Sequence, residues 1–340
     1  MKPLSDKAVE KLRETSEEPN LLGTHYKLLE RVARGGMGVV YAAEDERLHR
    51  RVALKVLDPT GTDRDLAQRL LHEARVLARL EHPGIVPVHD VGTLDDGRVF
   101  YTMKFVEGRR LDEHIAHVAS VPDRLRLFLR ICEAVGFAHA RGILHRDLKP
   151  ANVMVGSFGE VLVMDWGLAK VFAGAGREGA RDVVHLNGPA LAALPVQKSA
   201  ETGETVRTVH GTVLGTPGYM SPEQAGGDLG RLDGRSDVYS LGVLLRFVVS
   251  EPAGPRGQRI DRALEAICAK ATADKPEDRY PGVPELGMDV SRFLDGLAVS
   301  ARAETILDRM VRFYRRYRFF ILLMAAYLAM RIALILFFRK

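Results

Sequence analysis

A short stretch of the sequence gathers chemically active side chains between two apolar runs. Residues 142–155 read GILHRDLKPANVMV and contain Arg146, Asp147, Lys149 and Asn152 beside a histidine. Polar and charged groups among buried neighbours are costly unless they are paired or bind a ligand. This stretch is therefore the first candidate for a functional site.

A carboxylate follows the next apolar run. Residues 160–170, EVLVMDWGLAK, contain an apolar run that ends at Asp165, whereas Asn152 stands just before the run VMV. An Asn and an Asp at neighbouring strand ends can share a divalent cation with phosphate oxygens. The pattern predicts a metal site at Asn152 and Asp165.

Two charges nearer the N-terminus fall on apolar faces. In RRVALKVLD, Lys55 lies on the face opposite Val52 and Val56 of a strand that is too apolar to be an edge strand. Glu73 falls between Leu70 and Leu77 at helical spacing. Pairing Lys55 with Glu73 explains both positions, whereas the alternative is a boundary Glu whose carboxylate reaches water.

Glycines separate two strand-like runs in RVARGGMGVVYAAE, which predicts a hairpin. Backbone without Cβ atoms at Gly35, Gly36 and Gly38 can approach a phosphate and point N–H groups at it. A plain hairpin turn accounts for the same residues. The pattern alone leaves both interpretations open.

Composition narrows the class of protein. The 340 residues, 46% hydrophobic and 27% charged, are ordinary for a globular chain of two lobes or domains with appendages. The net charge of +5 is mild, so no nucleic-acid partner is expected. Cys132 and Cys268 lack metal-ligand spacing and are expected to be buried apolar residues in a reducing compartment. The N-terminus is charged and has no apolar core, so a signal peptide is not expected there.

Taken in order, the motifs resemble those of the eukaryotic-like, or Hanks-type, Ser/Thr protein kinases of bacteria. The matching segments are the Gly-rich loop at Ala33 to Val40, VALK with Lys55, the helix residue Glu73, HRDLKPAN, DWG in place of DFG, SPE from Ser221 to Glu223 in place of APE, and SDVYSLGVLL. The resemblance implies an α+β, two-lobed protein-kinase fold. A small antiparallel β lobe with one main helix precedes a larger, mainly helical lobe, and a C-terminal hydrophobic helix is added.

The resemblance also sets the expected domain organisation. The predicted parts are a flexible N-terminal tail at 1–25, a kinase domain at 26–296 with an N-lobe at 26–106 and a C-lobe at 107–296, a basic juxtamembrane segment at 297–318 and a transmembrane helix at 319–338.

By resemblance, the chain transfers the γ-phosphoryl group of ATP to Ser/Thr hydroxyls of proteins. Asp147 is expected to orient the hydroxyl and accept its proton, and Lys149 to neutralise the transferring group. Mg²⁺, with Mn²⁺ as an alternative, is expected at Asn152 and Asp165. Lys55, braced by Glu73, is expected to hold the α and β phosphates.

The expected ATP pocket includes the start of a hinge after Met103, where Lys104 and Val106 offer backbone groups to adenine. Its full set is Ala33, Arg34, Gly35, Gly36, Gly38, Val40, Ala53, Lys55, Met103, Lys104 and Val106.

Further roles implied by the resemblance are regulatory and structural. Arg146 suggests control by a phosphorylated loop, because a guanidinium can clamp a phosphate. The candidate phosphosite is Thr212, then Thr208, and ordinary loop hydroxyls remain an open alternative for both. Thr216 resembles the threonine that contacts the catalytic Asp and Lys.

Asp237 is expected to hold the backbone of the catalytic loop, and Glu223 to pair with Arg279.

One departure from the family pattern motivates a second functional hypothesis. Only a short segment, within the 250–260 region, precedes IDRALEAICAKAT, where the family has a further helix that helps dock substrates and partners. A nucleotide-binding pseudokinase or scaffold is therefore the alternative to an active kinase. The complete Lys, Glu, Asp, Asn and Asp set favours activity. A homodimer is left open.

The C-terminal residues 319–338, FFILLMAAYLAMRIALILFF, would as a helix span about 30 Å, the thickness of a bilayer core. Arg331 costs about 3 kcal/mol near the middle, which the many Leu, Ile and Phe residues offset at roughly 0.3 to 0.6 kcal/mol each. The arginines that precede the segment predict a single-pass inner-membrane protein with a cytoplasmic kinase domain. A helix that lies on the membrane or packs on the kinase is the alternative.

Overall fold

A computed structural model describes most of the chain. It covers residues 18–35, 38–57, 64–166, 170–171, 218–227, 232–250, 260–302, 310 and 317–331. The predicted phosphosites Thr208 and Thr212 lie outside these described residues, as do Thr216, which is expected to contact the catalytic Asp and Lys, and the loop residue Gly36.

The first lobe is a five-stranded antiparallel sheet with one helix. Its strands are β1 (Tyr26–Gly35), β2 (Gly38–Asp45), β3 (Arg50–Leu57), β4 (Val88–Thr93) and β5 (Val99–Lys104), in the spatial order β1-β2-β3-β5-β4. Helix α1 (Arg64–Ala78) packs against β5, β4 and β3. The predicted hairpin and main helix are confirmed.

The two faces of β3 bury different clusters, as its alternating sequence predicts. Val52, Leu54 and Val56 pack into a small cluster that also contains Leu21. Ala53 and Leu57 belong to the larger core on the side of α1, and Lys55 lies on that same face. The predicted orientation of Lys55 therefore holds.

The second lobe is mainly helical. Its elements are β6 (Gly108–Arg110), α2 (Leu111–Ile115), α3 (Val121–Ala140), β7 (Ile143–Leu144), a 3₁₀ turn (Pro150–Asn152), β8 (Val153–Gly156), β9 (Val161–Val163), β10 (Lys170–Val171), α4 (Pro222–Ala225), α5 (Gly234–Ser250), α6 (Arg262–Ala271), a second 3₁₀ turn (Pro276–Asp278) and α7 (Val283–Leu294). Strands β6, β8 and β9 form one small sheet, and β7 pairs with β10.

Helix α3 runs through the middle of this lobe and leads into the HRD segment. Ser120 caps its N-terminus, and α3 packs against both α5 and α7. Leu125, Phe128 and Val135 are buried on the predicted apolar stripe. Both cysteines, Cys132 on α3 and Cys268 on α6, are buried free thiols, as predicted.

The lobes meet at a short backbone contact. Ile85 forms a parallel bridge with Val163, and the Val163 N–H donates to the Gly84 carbonyl at 2.8 Å. One hydrophobic cluster runs from Met103 in the sheet to Leu148 and the helices of the second lobe. The residues near β9 are therefore fixed relative to β3 and β5.

The terminal segments add contacts beyond the kinase motifs. Residues 18–25 lie in the predicted tail, and Leu21 from this segment is buried against the small lobe. Residues 317–331 are helical. Across the described ranges, no helix has both the length and the apolar character needed to cross a membrane. The remainder of the predicted span, 332–338, lies outside them.

Candidate active site

Lys55 and Glu73 form a buried ion pair between β3 and α1. Lys55 Nζ donates to both carboxylate oxygens of Glu73, each at 2.8 Å. The predicted pair is therefore present, and the alternative of a carboxylate that reaches water is wrong because Glu73 is only 1% exposed. Tyr101 on β5 also donates its hydroxyl to Glu73 Oε1, at 3.0 Å.

Burial and charge act in opposite directions on this pair. Burial disfavours the ammonium form of Lys55, but the carboxylates of Glu73 and Asp165 outweigh it and raise the lysine's pKa. Burial raises the pKa of Glu73 although Lys55 and the Tyr101 hydroxyl oppose that shift. Lys55 therefore stays a cation, and Glu73 depends on its hydrogen bonds to remain charged.

Asp165, from the second lobe, lies close to the same lysine. Its Oδ1 lies 3.6 Å from Lys55 Nζ, and its side chain is 51% exposed. The backbone of Asp165 has a φ of 58°, a left-handed conformation that few non-glycine residues adopt. Such strain is typical of functional positions.

The HRD segment forms a hydrogen-bonded loop around Asp147. Lys149 Nζ donates to Asp147 Oδ2 at 2.7 Å, and the amide nitrogen of Asn152 donates to Asp147 Oδ2 at 3.1 Å and to its carbonyl at 2.9 Å. The Asp147 N–H donates to His145 Nδ1 at 3.3 Å. The predicted catalytic residues of this segment are thus brought together.

Asn152 and Asp165 lie at adjacent ends of the β8–β9 hairpin. Val153 pairs with Val163, and the Met164 N–H donates to the Asn152 carbonyl at 2.8 Å. Because the Asn152 amide nitrogen is bonded to Asp147, its side-chain oxygen is the atom that it can offer to a metal. An amide oxygen and a carboxylate suit a hard divalent cation, so the residues fit the predicted metal site.

Asp237 on α5 supports the HRD segment from below. Its carboxylate accepts the backbone N–H groups of His145 and Arg146, each at 2.8 Å, and His139 Nε2 lies 2.7 Å away. Burial raises its pKa, but these hydrogen bonds and the nearby histidines outweigh it, so the pKa of Asp237 is lowered. The structural role implied by the resemblance is present in the fold.

The Gly-rich segment is the β1–β2 hairpin, in which Ala33 pairs with Val40, Arg34 with Val39 and Gly35 with Gly38. A Cβ at Gly38 would lie 2.2 Å from the Val56 carbonyl oxygen, whereas a Cβ at Gly35 would have no neighbour nearer than 3.8 Å. Gly38 therefore serves the packing of β2 on β3. The phosphate interpretation rests on Gly35 and on Gly36, which lies outside the described residues.

The predicted adenine-binding residues share the face of the sheet that carries Lys55. Ala53 pairs with Met103 across β3 and β5, and both belong to the large core cluster, against which Val40 packs. The Lys104 N–H donates to the Pro87 carbonyl at 3.1 Å, which fixes the start of the hinge. Val106 is buried.

Around α4 the chain is fixed by an ion pair and a capping box. Arg279 donates to Glu223 Oε1 at 2.7 Å and Oε2 at 2.8 Å, as the resemblance implied. Ser221 and Gln224 form the capping box of α4. Gln224 also donates to the Arg146 carbonyl at 2.9 Å, a link that the sequence did not suggest.

The chain belongs to the protein kinase family. The family model described as protein kinase domain matches residues 26–319. This match, with the structure, confirms the predicted two-lobed fold and kinase family. Members of this family use ATP and a divalent metal ion.

Bacterial relatives carry the predicted activity class in their names. The serine/threonine-protein kinase PknD of Chlamydia abortus is 32% identical, over 80% of this chain and 31% of the relative. The protein of the same name from Chlamydia trachomatis serovar D is 34% identical, over 80% of this chain and 32% of the relative. The chain thus spans about a third of the length of these relatives.

A solved structure shares the fold. The crystal structure of the Mycobacterium tuberculosis PknI kinase domain gives a TM-score of 0.53 at 26% identity, covering 79% of this chain and 95% of that chain. The similarity extends over both lobes of the kinase fold.

Proposed function

We propose that this chain is an ATP- and Mg²⁺-dependent protein kinase that phosphorylates Ser and Thr hydroxyls of proteins. The observation that carries the proposal is the position of Lys55 Nζ, 2.8 Å from Glu73 and 3.6 Å from Asp165. A cation from the small lobe and an acid from the large lobe therefore lie close together. In this position Lys55 could bind the phosphates of ATP, and Asp165 could bind the metal ion that accompanies them.

Each residue has a role in this proposal. Asp147, held by Lys149 and Asn152, orients the substrate hydroxyl in line with the γ-phosphorus and accepts its proton. Lys149 also offsets negative charge on the transferring group. Lys55 holds the α and β phosphates. Asn152 and Asp165 would hold Mg²⁺, which neutralises phosphate charge when bound.

Incubation of the purified chain with γ-labelled ATP and Mg²⁺ tests this proposal. We expect autophosphorylation on Ser or Thr, located by mass spectrometry, and none in the Asp147→Asn variant. That variant should still bind ATP, because Asp147 bonds to Lys149 and Asn152 of the HRD segment, whereas the Lys55–Glu73 pair lies between β3 and α1. ATP binding by the wild type with no phosphate incorporation would instead support the pseudokinase alternative.

Loop phosphorylation is part of the same proposal. Arg146 would clamp a phosphate on Thr212 or Thr208, and Thr216 would contact Asp147 and Lys149. Support comes from Arg146 itself, whose backbone is held by Asp237 and Gln224 and has a φ of 70°. Substitution of Thr212 by Ala should reduce activity, while phosphate found only outside this loop would contradict the assignment.

We further propose that residues 319–338 attach the kinase to the inner membrane with the kinase domain in the cytoplasm. The described part of this segment supports attachment, because Phe319 is 75% exposed and Leu323 is 72% exposed. Carbonate extraction of membranes should leave the full chain in the pellet. Release into the supernatant would contradict a spanning helix.

A further inference from the structure

Tyr101 is a buried side chain with a polar function that the motifs do not assign. It lies directly opposite Lys55 in the pairing of β3 with β5, so both side chains stand on the same face of the sheet. Lys55 and Tyr101 therefore reach Glu73 from neighbouring strands. The Tyr101 hydroxyl donates to Glu73 Oε1 at 3.0 Å.

The surroundings of Glu73 show why this hydroxyl matters. Glu73 is 1% exposed and Tyr101 is 2% exposed, so bulk solvent has little access to the Glu73 carboxylate. Its hydrogen bonds therefore come from neighbouring protein groups. Lys55 contacts both oxygens, and Tyr101 adds a third hydrogen bond to the carboxylate, the second at Oε1. A buried carboxylate is stable only when its hydrogen bonds are satisfied.

Lys55 has competing partners, whereas Tyr101 has a fixed one. Asp165 Oδ1 lies 3.6 Å from Lys55 Nζ on the side open to solvent. Phosphates that bind there would share the ammonium group with Glu73 and weaken its bonds to that carboxylate. The Tyr101 hydroxyl would still hold Glu73, and with it α1, against the sheet.

We propose that Tyr101 is a positioning residue that holds Glu73 and helix α1 against β5, so that Lys55 keeps its alignment while it binds the nucleotide phosphates. This inference rests on the proposed kinase function for its effect on turnover. Tyr101 itself does not touch the reacting atoms, since it acts through Glu73.

Tyr101→Phe removes the hydroxyl and keeps the ring. A matched control is Tyr26→Phe, because Tyr26 donates to Asp90 at 3.1 Å and contacts Thr102 at 3.2 Å from the opposite face of the same sheet. Turnover is measured per nucleotide-binding site, so that misfolded protein is not counted.

We expect Tyr101→Phe to lower kcat by about 10-fold, the lower end of the effect of losing one hydrogen bond to a charged group, with less than about 3-fold change in the KM for ATP. In a Glu73→Gln background the same change should have little further effect. Tyr26→Phe should leave turnover unchanged. Equal losses in both backgrounds, or the same loss in Tyr26→Phe, would overturn the proposal.

Hydrogen exchange gives a readout that does not need catalysis. Amides of α1, residues 64–78, should exchange faster in Tyr101→Phe than in the wild type or in Tyr26→Phe, and most clearly with ATP bound. If the wild type binds ATP without phosphotransfer, this measurement still tests Tyr101 although the proposed kinase function has failed. Unchanged exchange in α1 would contradict the role of Tyr101.

Discussion

The carboxylate of Asp237 accepts the backbone N–H of Arg146 at 2.8 Å, and Arg146 has a left-handed backbone with a φ of 70°. A non-glycine residue in this conformation costs about 1–3 kcal/mol and persists only where its surroundings hold it in place. The hydrogen bond that Arg146 donates to the buried carboxylate on α5 offsets that cost. The position of Asp147, the next residue, therefore depends on a helix remote in sequence.

Asp237→Asn tests this dependence. An amide can accept only through its oxygen, so one buried backbone N–H would lose its acceptor at a cost of about 1–3 kcal/mol. Displacement of Asp147 by about 1 Å should lower phosphotransfer by about 100-fold. Urea unfolding and the phosphotransfer assay measure the two effects.

Asp233→Asn is the control for that variant. Asp233 precedes α5, is half exposed and accepts the Arg235 N–H, a capping role that Asn also fills. It should retain wild-type stability and activity. Full activity of Asp237→Asn would refute the supporting role.

The Glu223–Arg279 pair should make stability depend on pH. Burial opposes the carboxylate of Glu223, but hydrogen bonds from Arg279 and Ser236 lower its pKa from the ordinary 4.5 to about 2. Its contribution is thus complete above pH 4.5 and declines as the pH falls towards 2.

Glu223→Gln should lose about 3 kcal/mol of unfolding free energy at neutral pH, since the buried guanidinium of Arg279 then lacks its countercharge. The difference from wild type should shrink on acidification below pH 4.5. Denaturant unfolding at several pH values measures it, with exposed Glu277→Gln as the control. A difference that is constant across this range would be inconsistent with the ion pair as its cause.

The two glycines of the β1–β2 hairpin should respond differently to alanine. Gly38→Ala places a Cβ 2.2 Å from the Val56 carbonyl oxygen, so it should destabilise the small lobe by about 1–3 kcal/mol. Gly35→Ala has space for the methyl group and should keep wild-type stability while weakening ATP binding. Thermal unfolding and nucleotide titration separate the effects. Equal unfolding temperatures for both variants would show that the close contact at Gly38 is not decisive.

Asp289 on α7 fixes the segment that follows the last helix of the kinase fold. It is buried and accepts hydrogen bonds from the Tyr280 hydroxyl at 2.8 Å, from the Ser300 N–H at 2.7 Å and hydroxyl at 2.8 Å, and from the Ala301 N–H at 3.0 Å. In Asp289→Asn, tryptic cleavage after Arg302 should become about 10-fold faster because this segment opens more often. Exposed Asp295→Asn is the control, and equal cleavage in all three proteins would exclude this anchoring role.

Several site residues were predictable because two independent patterns agree on them. The strand alternation around Lys55 and the helical spacing around Glu73 each place a charge on an apolar face, and pairing is the low-energy solution. Tyr101 was missed because a tyrosine in a strand is also an ordinary core residue. The feature that reveals its role is its position opposite Lys55 in the pairing of β3 with β5. The sequence does not specify this register.

The sequence by itself determined the local elements, the kinase motifs and the residue types that could bind a metal and phosphates, because these depend on short-range periodicity and side-chain chemistry. Only the tertiary structure revealed the partners that no motif suggested. Gln224 with Arg146 and Tyr101 with Glu73 join residues far apart in the chain. Such hydrogen bonds require the packing of whole helices and strands to bring donor and acceptor within about 3 Å.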